Sequence, residues 1–74
     1  MIAEHSMVVL NEDRMGDGLS EGDVGAVVYI HGGGQAYEVE FVDGDGSTIA
    51  LLTLEAAKVR PIKAGELLHA RRRV

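Results

Sequence analysis

Hydrophobic and polar positions alternate most regularly over Ala36–Val42, where Glu38 and Glu40 separate Tyr37, Val39 and Phe41. A period of two predicts a strand with one apolar and one acidic face. Asp43-Gly44-Asp45-Gly46 follows. Glycine and aspartate readily supply the positive φ of hairpin turns, so Thr48–Leu54 is predicted to return antiparallel. Upstream, Val24–His31 (VGAVVYIH) has the β-branched content of a largely buried strand, entered through a tight turn at Glu21-Gly22-Asp23 and ended by Gly32-Gly33-Gly34. Gly25 inside it marks either a bulge or a close approach of another backbone. Met7–Leu10 (MVVL) is a shorter first strand. The polar stretch after it, with Gly16 and Gly18 beside acids, predicts an irregular loop that Leu19 pins to the core.

Leu54–Lys58 (LEAAK) is long enough for one helical turn, and Val59–Ile62 is predicted as a last strand. Pro61 restricts that strand to a sheet edge. Short strands, a long first loop, glycine-rich hairpins and a helical turn before the final strand predict a mainly β domain, a small five-stranded SH3-like barrel over residues 1–62. The predicted core is Val8, Leu10, Val28, Ile30, Tyr37, Val39, Phe41, Ile49, Leu51 and Leu54. Residues 63–74 form a basic C-terminal tail in which Glu66–Arg73 can become helical with Leu67 and Leu68 on one side.

Length sharpens the picture, since a chain of 74 residues holds one domain and folding removes only about 60% of the unfolded chain's surface. The absence of cysteine excludes a disulfide framework and a thiolate metal site, and fits a reducing, cytoplasmic compartment. The longest apolar run, Ile49–Leu54, is far shorter than the ~20 residues of a membrane span, and Glu4 and His5 interrupt the region where a signal peptide would be apolar. Charge is divided unevenly. Residues 1–57 hold eleven acids and one base, Arg14, whereas residues 58–74 hold six bases and one acid, Glu66. An acidic body favours basic protein partners over nucleic-acid backbones, and the tail alone is drawn to phosphate.

Candidate chemistry is sparse. Asp43-Gly44-Asp45-Gly46-Ser47 opens like a calcium loop, but the acid required at the twelfth position is Leu54, and Glu55 comes one residue late. His5, His31 and His69 lie in three separate segments without metal-ligand spacing. Ser6, Ser20 and Ser47 sit in polar or turn contexts without a nucleophile elbow. Gly32–Gly34 lacks the lysine and following helix of a phosphate cradle. Glu38 and Glu40 lie on the outer face of a strand, where solvation leaves neither poised for acid catalysis. Neither an enzyme nor a cofactor is expected.

Three segments together carry a family resemblance: Gly18-Leu19-Ser20-Glu21-Gly22-Asp23-Val24-Gly25-Ala26-Val27-Val28, Ala36–Asp43 (AYEVEFVD) and Thr48–Leu54 (TIALLTL). They resemble the domain-of-unknown-function family four-nine-two-six, whose members share G-L-x-x-G-D-x-G-x-V-V, Y-E-V-E-F and A-L-L-T-L. The resemblance runs from about Met7 to Pro61. It implies a small β-barrel protein of bacteria and archaea, without established catalytic residues and with genes that can neighbour toxin-like or uncharacterised partners. The tail after Pro61 departs from the family's short ending. The first segment is also similar to the glycine-bearing strand and loop of ribosome-associated KOW domains, which contact RNA, although Asp17, Glu21 and Asp23 oppose that role.

The expected function is a non-catalytic protein-binding module, an antitoxin-like or immunity-like partner of a basic protein. Its expected partner-binding residues are Glu12, Asp17, Glu21, Asp23, Glu38 and Glu40. The alternatives are a KOW-like nucleic-acid-binding barrel using Lys58, Arg60, Lys63 and the basic tail Arg71, Arg72 and Arg73, and a self-associating domain in which that tail lies on a neighbour's acidic barrel.

Overall fold

The structure, a computed structural model, describes residues 2–72. Its strands are β1 (Met7–Leu10), β2 (Val24–His31), β3 (Ala36–Val42), β4 (Thr48–Glu55) and β5 (Val59–Pro61), within two residues of the predicted bounds throughout. All pair antiparallel in one sheet of order β4-β3-β2-β1-β5. Pro61 therefore lies on an edge strand, where its missing N–H breaks no ladder. Short 3-10 turns at Met15–Asp17 and Ala56–Lys58 complete the elements, the second replacing the helical turn expected at LEAAK.

The sheet is strongly curled. Leu54 of β4 and Val59 of β5 sit in one core cluster although their strands are opposite edges of the sheet. Strands spaced ~4.8 Å apart would put those edges about 19 Å from each other if the sheet were flat. The ladder does not run from β5 back to β4, so this small barrel-like domain stays open along one seam. The Ala56 N–H donates to the Gln35 carbonyl at 3.0 Å, extending the β3–β4 pairing into the turn that leads to β5.

Curling brings β2 and β3 into close contact at Gly25. A Cβ there would lie 2.6 Å from Val39 Cγ1 and 2.9 Å from both the Glu40 carbonyl oxygen and Phe41 Cε2. The glycine marks a close approach, while the bulge falls further along, where Val27 pairs with Val39 but Tyr29 with Glu38. Val28 is the extra residue.

This bulge corrects the predicted core. Before it, Gly25 and Val27 face inward, and after it Ile30 does, so Val27 is fully buried while Val28 is 36% exposed. A second irregularity makes Ile49 the extra residue opposite the Phe41–Val42 step. Leu52 and Leu54 then pack inward, and Leu51, expected in the core, is 54% exposed. Val8, Leu10, Tyr37, Val39, Phe41 and Leu54 are buried as expected, Ile30 and Ile49 pack against them in part, and Leu19 joins them at the end of its loop. Mutual hydrogen bonds between the backbones of Arg14 and Leu19 close that loop.

The predicted tail helix is absent: Glu66–Arg72 has no helical segment, and Arg73 lies outside the described residues. A segment of this length is marginal as an isolated helix, and here it offers no apolar stripe that the sheet buries, since Leu67 and Leu68 remain exposed.

Three substitutions test these assignments. Gly25→Ala is expected to lower unfolding free energy by about 1–3 kcal/mol through overpacking. Leu54→Ala should lower it by about 2–5 kcal/mol, and Leu51→Ala by no more than about 0.5 kcal/mol. Urea denaturation measures all three, and equal losses at positions 51 and 54 would contradict the assigned faces.

Candidate protein-binding surface

The outward faces of β2, β3 and β4 form a continuous surface. The register places Glu38 between Tyr29 and Thr53, and Glu40 between Ala26 and Leu51. Both carboxylates are oriented by neighbours. The Thr53 hydroxyl donates to Glu38 Oε1 at 2.6 Å, His31 Nε2 lies 3.0 Å from the same oxygen, and the Thr48 hydroxyl donates to Glu40 Oε2 at 2.5 Å. The Thr53 bond, then the His31 contact, lower the pKa of Glu38. Tyr29 meets the His31 ring edge to face at 4.8 Å, fixing one flank of the surface. Val28, Tyr29, Val42 and Leu51 are exposed there, so apolar area alternates with fixed negative charge. Residues 24–55 contain five acids and no lysine or arginine.

The loop acids occupy a different electrostatic setting. Glu12 pairs with Lys58 at 3.1 Å and Arg14 at 3.8 Å, and Asp17 pairs with Arg14 at 3.0 Å. The Glu21 N–H donates to Asp13 Oδ1 at 2.9 Å, which folds the loop on itself. Asp23 receives Arg71 from the tail: Nε and Nη2 donate to its two carboxylate oxygens at 2.8 and 2.5 Å, while Nη2 also reaches the Gly18 carbonyl at 3.1 Å. The tail is further clipped where Arg60 donates through both terminal nitrogens to Glu66, at 2.8 and 2.7 Å. These bonds from Arg60, helped by the Lys63 N–H, hold the Glu66 carboxyl down at about 2.

The sequence-predicted residues thus fall into two groups. Glu38 and Glu40 share the sheet face, whereas Glu12, Asp17, Glu21 and Asp23 lie on the loop before β2, where all but the exposed Glu21 have basic partners within the chain. Of the basic tail, Arg71 is engaged, Arg72 is exposed and Arg73 lies outside the described residues. Sequence reasoning missed Tyr29, Val42 and Leu51 as surface residues, and it missed the pairing of Arg71 with Asp23. Among the described residues, no group of three or more His, Asp or Glu side chains is arranged to hold a metal ion. None of their helices is long and apolar enough to cross a membrane.

Residues 4–61 match the family model described as Domain of unknown function (DUF4926). The chain belongs to this family. No curated protein and no solved structure matches it. The DUF4926 match takes in all five strands, both sheet-face glutamates and Asp23, and it ends at the residue that closes β5. Arg71 lies beyond it, so the ion pair joins the DUF4926 domain to a segment outside the matched region.

Docking of the tail has a pH signature. The hydrogen bond from Arg71 is the largest influence on Asp23 and lowers its pKa below 3.8, with burial opposing. A folded-state pKa below the unfolded one means that this contact stabilises the fold above the unfolded value. The contribution disappears as pH falls through the lowered folded value. A carbon-detected titration of the Asp23 carboxyl is expected to show a lower midpoint in the wild type than in Arg71→Ala. Coincident midpoints would show that the pair does not form in solution.

Proposed function

We propose that this DUF4926 domain is a non-catalytic protein-binding module whose β2–β3–β4 face engages a basic protein. The observation that carries the reading is the combination on one face of oriented carboxylates, Glu38 and Glu40, with exposed Tyr29, Val42 and Leu51. Apolar area provides contact energy, and negative charge selects partners with Lys or Arg opposite it. Residues 24–55 contain no lysine or arginine, so His31, 3.0 Å from Glu38, is the one basic side chain of this segment beside such a partner. A cysteine-free chain suits a cytoplasmic setting.

Nucleic-acid binding through the tail is the second reading, motivated by Arg71–Arg73. It is disfavoured because Lys58, Arg60 and Arg71 already face Glu12, Glu66 and Asp23. A phosphate would have to displace these carboxylates before counterion release could drive binding.

The test is affinity capture from native lysate, using wild-type and Glu38→Lys/Glu40→Lys proteins as matched baits after nuclease treatment. A stoichiometric basic protein is expected on the wild type and reduced about tenfold or more on the variant, because reversal sets like charges against each other. Circular dichroism of the variant establishes that the fold is retained. Equal capture by both baits would remove this face from the account, and recovery of only nuclease-sensitive material would favour the tail and nucleic acid.

A further inference from the structure

The contact between Arg71 and Asp23 is more elaborate than a surface ion pair requires. Asp23 is fixed on three sides: its N–H donates to the Ser20 carbonyl at 3.0 Å, its carbonyl accepts from Leu10 N–H at 2.9 Å, and its Oδ2 accepts from Ser20 N–H at 2.8 Å. The carboxylate is therefore oriented by the turn and by β1, independently of the tail. Gly18, in the left-handed region at φ 73°, places its carbonyl oxygen beside the same guanidinium. Two parallel bonds to a carboxylate plus one to a carbonyl match the planar fork of arginine, whereas a lysine ammonium cannot reproduce that pattern. Between the barrel and the docked tail lies a cleft of about 400 Å³, lined on the barrel by Gly18, Leu19, Asp23, Phe41 and Ile49 and on the tail by Arg71 and the three residues before it. A side chain with an apolar stem and a cationic head suits such walls.

Between the Arg60–Glu66 clip and the Arg71 head group the tail is weakly held. Leu67 and Leu68, the large apolar residues of the approaching segment, are 92% and 65% exposed, and the segment has no regular structure. We propose that Asp23 and the Gly18 carbonyl form a receptor for an arginine side chain of a basic partner segment, with Arg71 as the tethered occupant that this segment displaces. The proposal rests on reading the domain as a binder of basic proteins, and it names the side chain recognised and a second contact point beyond the sheet face. A flexible tether of this length presents Arg71 at an effective concentration on the order of millimolar. Outside segments must compete with that concentration, so removing the Arg71 side chain opens the receptor.

The probe is a synthetic peptide of the chain's own last residues, LLHARRRV, added to full-length proteins and followed by fluorescence anisotropy. Arg71→Ala is expected to bind it at least tenfold more tightly than the wild type. An all-lysine peptide of the same charge should bind at least tenfold more weakly, and adding Asp23→Asn to Arg71→Ala should abolish binding. Amide shift mapping on Arg71→Ala, which does not depend on the fold of the Asp23 variant, should place the changes at Gly18, Ser20 and Asp23. Equal affinity of wild type and Arg71→Ala, equal affinity for both peptides, changes confined elsewhere, or no binding by Arg71→Ala at millimolar peptide would each overturn the proposal. Peptide binding without any captured basic protein would count against the wider reading alone. A captured partner without peptide binding would count against the arginine receptor alone.

Discussion

The rest of the structure depends on the close approach of β3 to Gly25. At that point the third strand occupies space that any other residue's Cβ would need, and Val39 and Phe41 fill the inner face of the sheet. The curl of the sheet lets residues from opposite edges share one core, which a domain of this size needs because it has so little interior. Beyond Gly25 the extra residue at Val28 changes which side chains of β2 face outward, so that Tyr29 and His31 flank Glu38. The same backbone event that completes the core thus assembles the outer surface.

Charge is organised in two tiers. Arg14, Lys58 and Arg71 pair with Glu12, Asp17 and Asp23 of the loop between β1 and β2 from within the chain, while Asp13 and Glu21 of that loop have no ion pair among the described residues. The acids of β3, β4 and their hairpin have no lysine or arginine in their own segment, and threonine hydroxyls orient two of them. Exposed pairs of the first kind each contribute little to stability, about 0–1 kcal/mol. Their larger effect is on the field: they concentrate the negative potential on the sheet face and tie down the basic residues that a phosphate backbone would use.

Much of this fold was legible in the sequence because its signals were local. Alternation over Ala36–Val42, Asp-Gly turns and a proline in the last strand placed the strands, and Leu19 stood out as the apolar residue of a polar loop. The errors arose where local periodicity was interrupted. Val28 and Leu51 were expected inside on their apolar character, but single extra residues at Val28 and Ile49 shift which side chains of β2 and β4 face inward. Glu38 and Glu40 were readable as an outward pair from alternation alone. The docking of Arg71 was not, because 48 residues separate it from Asp23 and only opposite charge connected them beforehand. The expected tail helix is absent over Glu66–Arg72 for a related reason: its leucines gain no apolar face to pack against.

The central claim is that, while Arg71 occupies Asp23, the negative potential open to a partner lies on the β2–β3–β4 face and not on the loop before β2. Residue-by-residue relaxation enhancement by cationic and anionic nitroxide cosolutes reads that potential directly in the free protein. The account expects the most negative values around Glu38, Glu40 and the Asp43–Ser47 turn, with distinctly weaker values around Glu12, Asp17 and Asp23. A potential that is strongest along the loop and weak over the sheet face would contradict it.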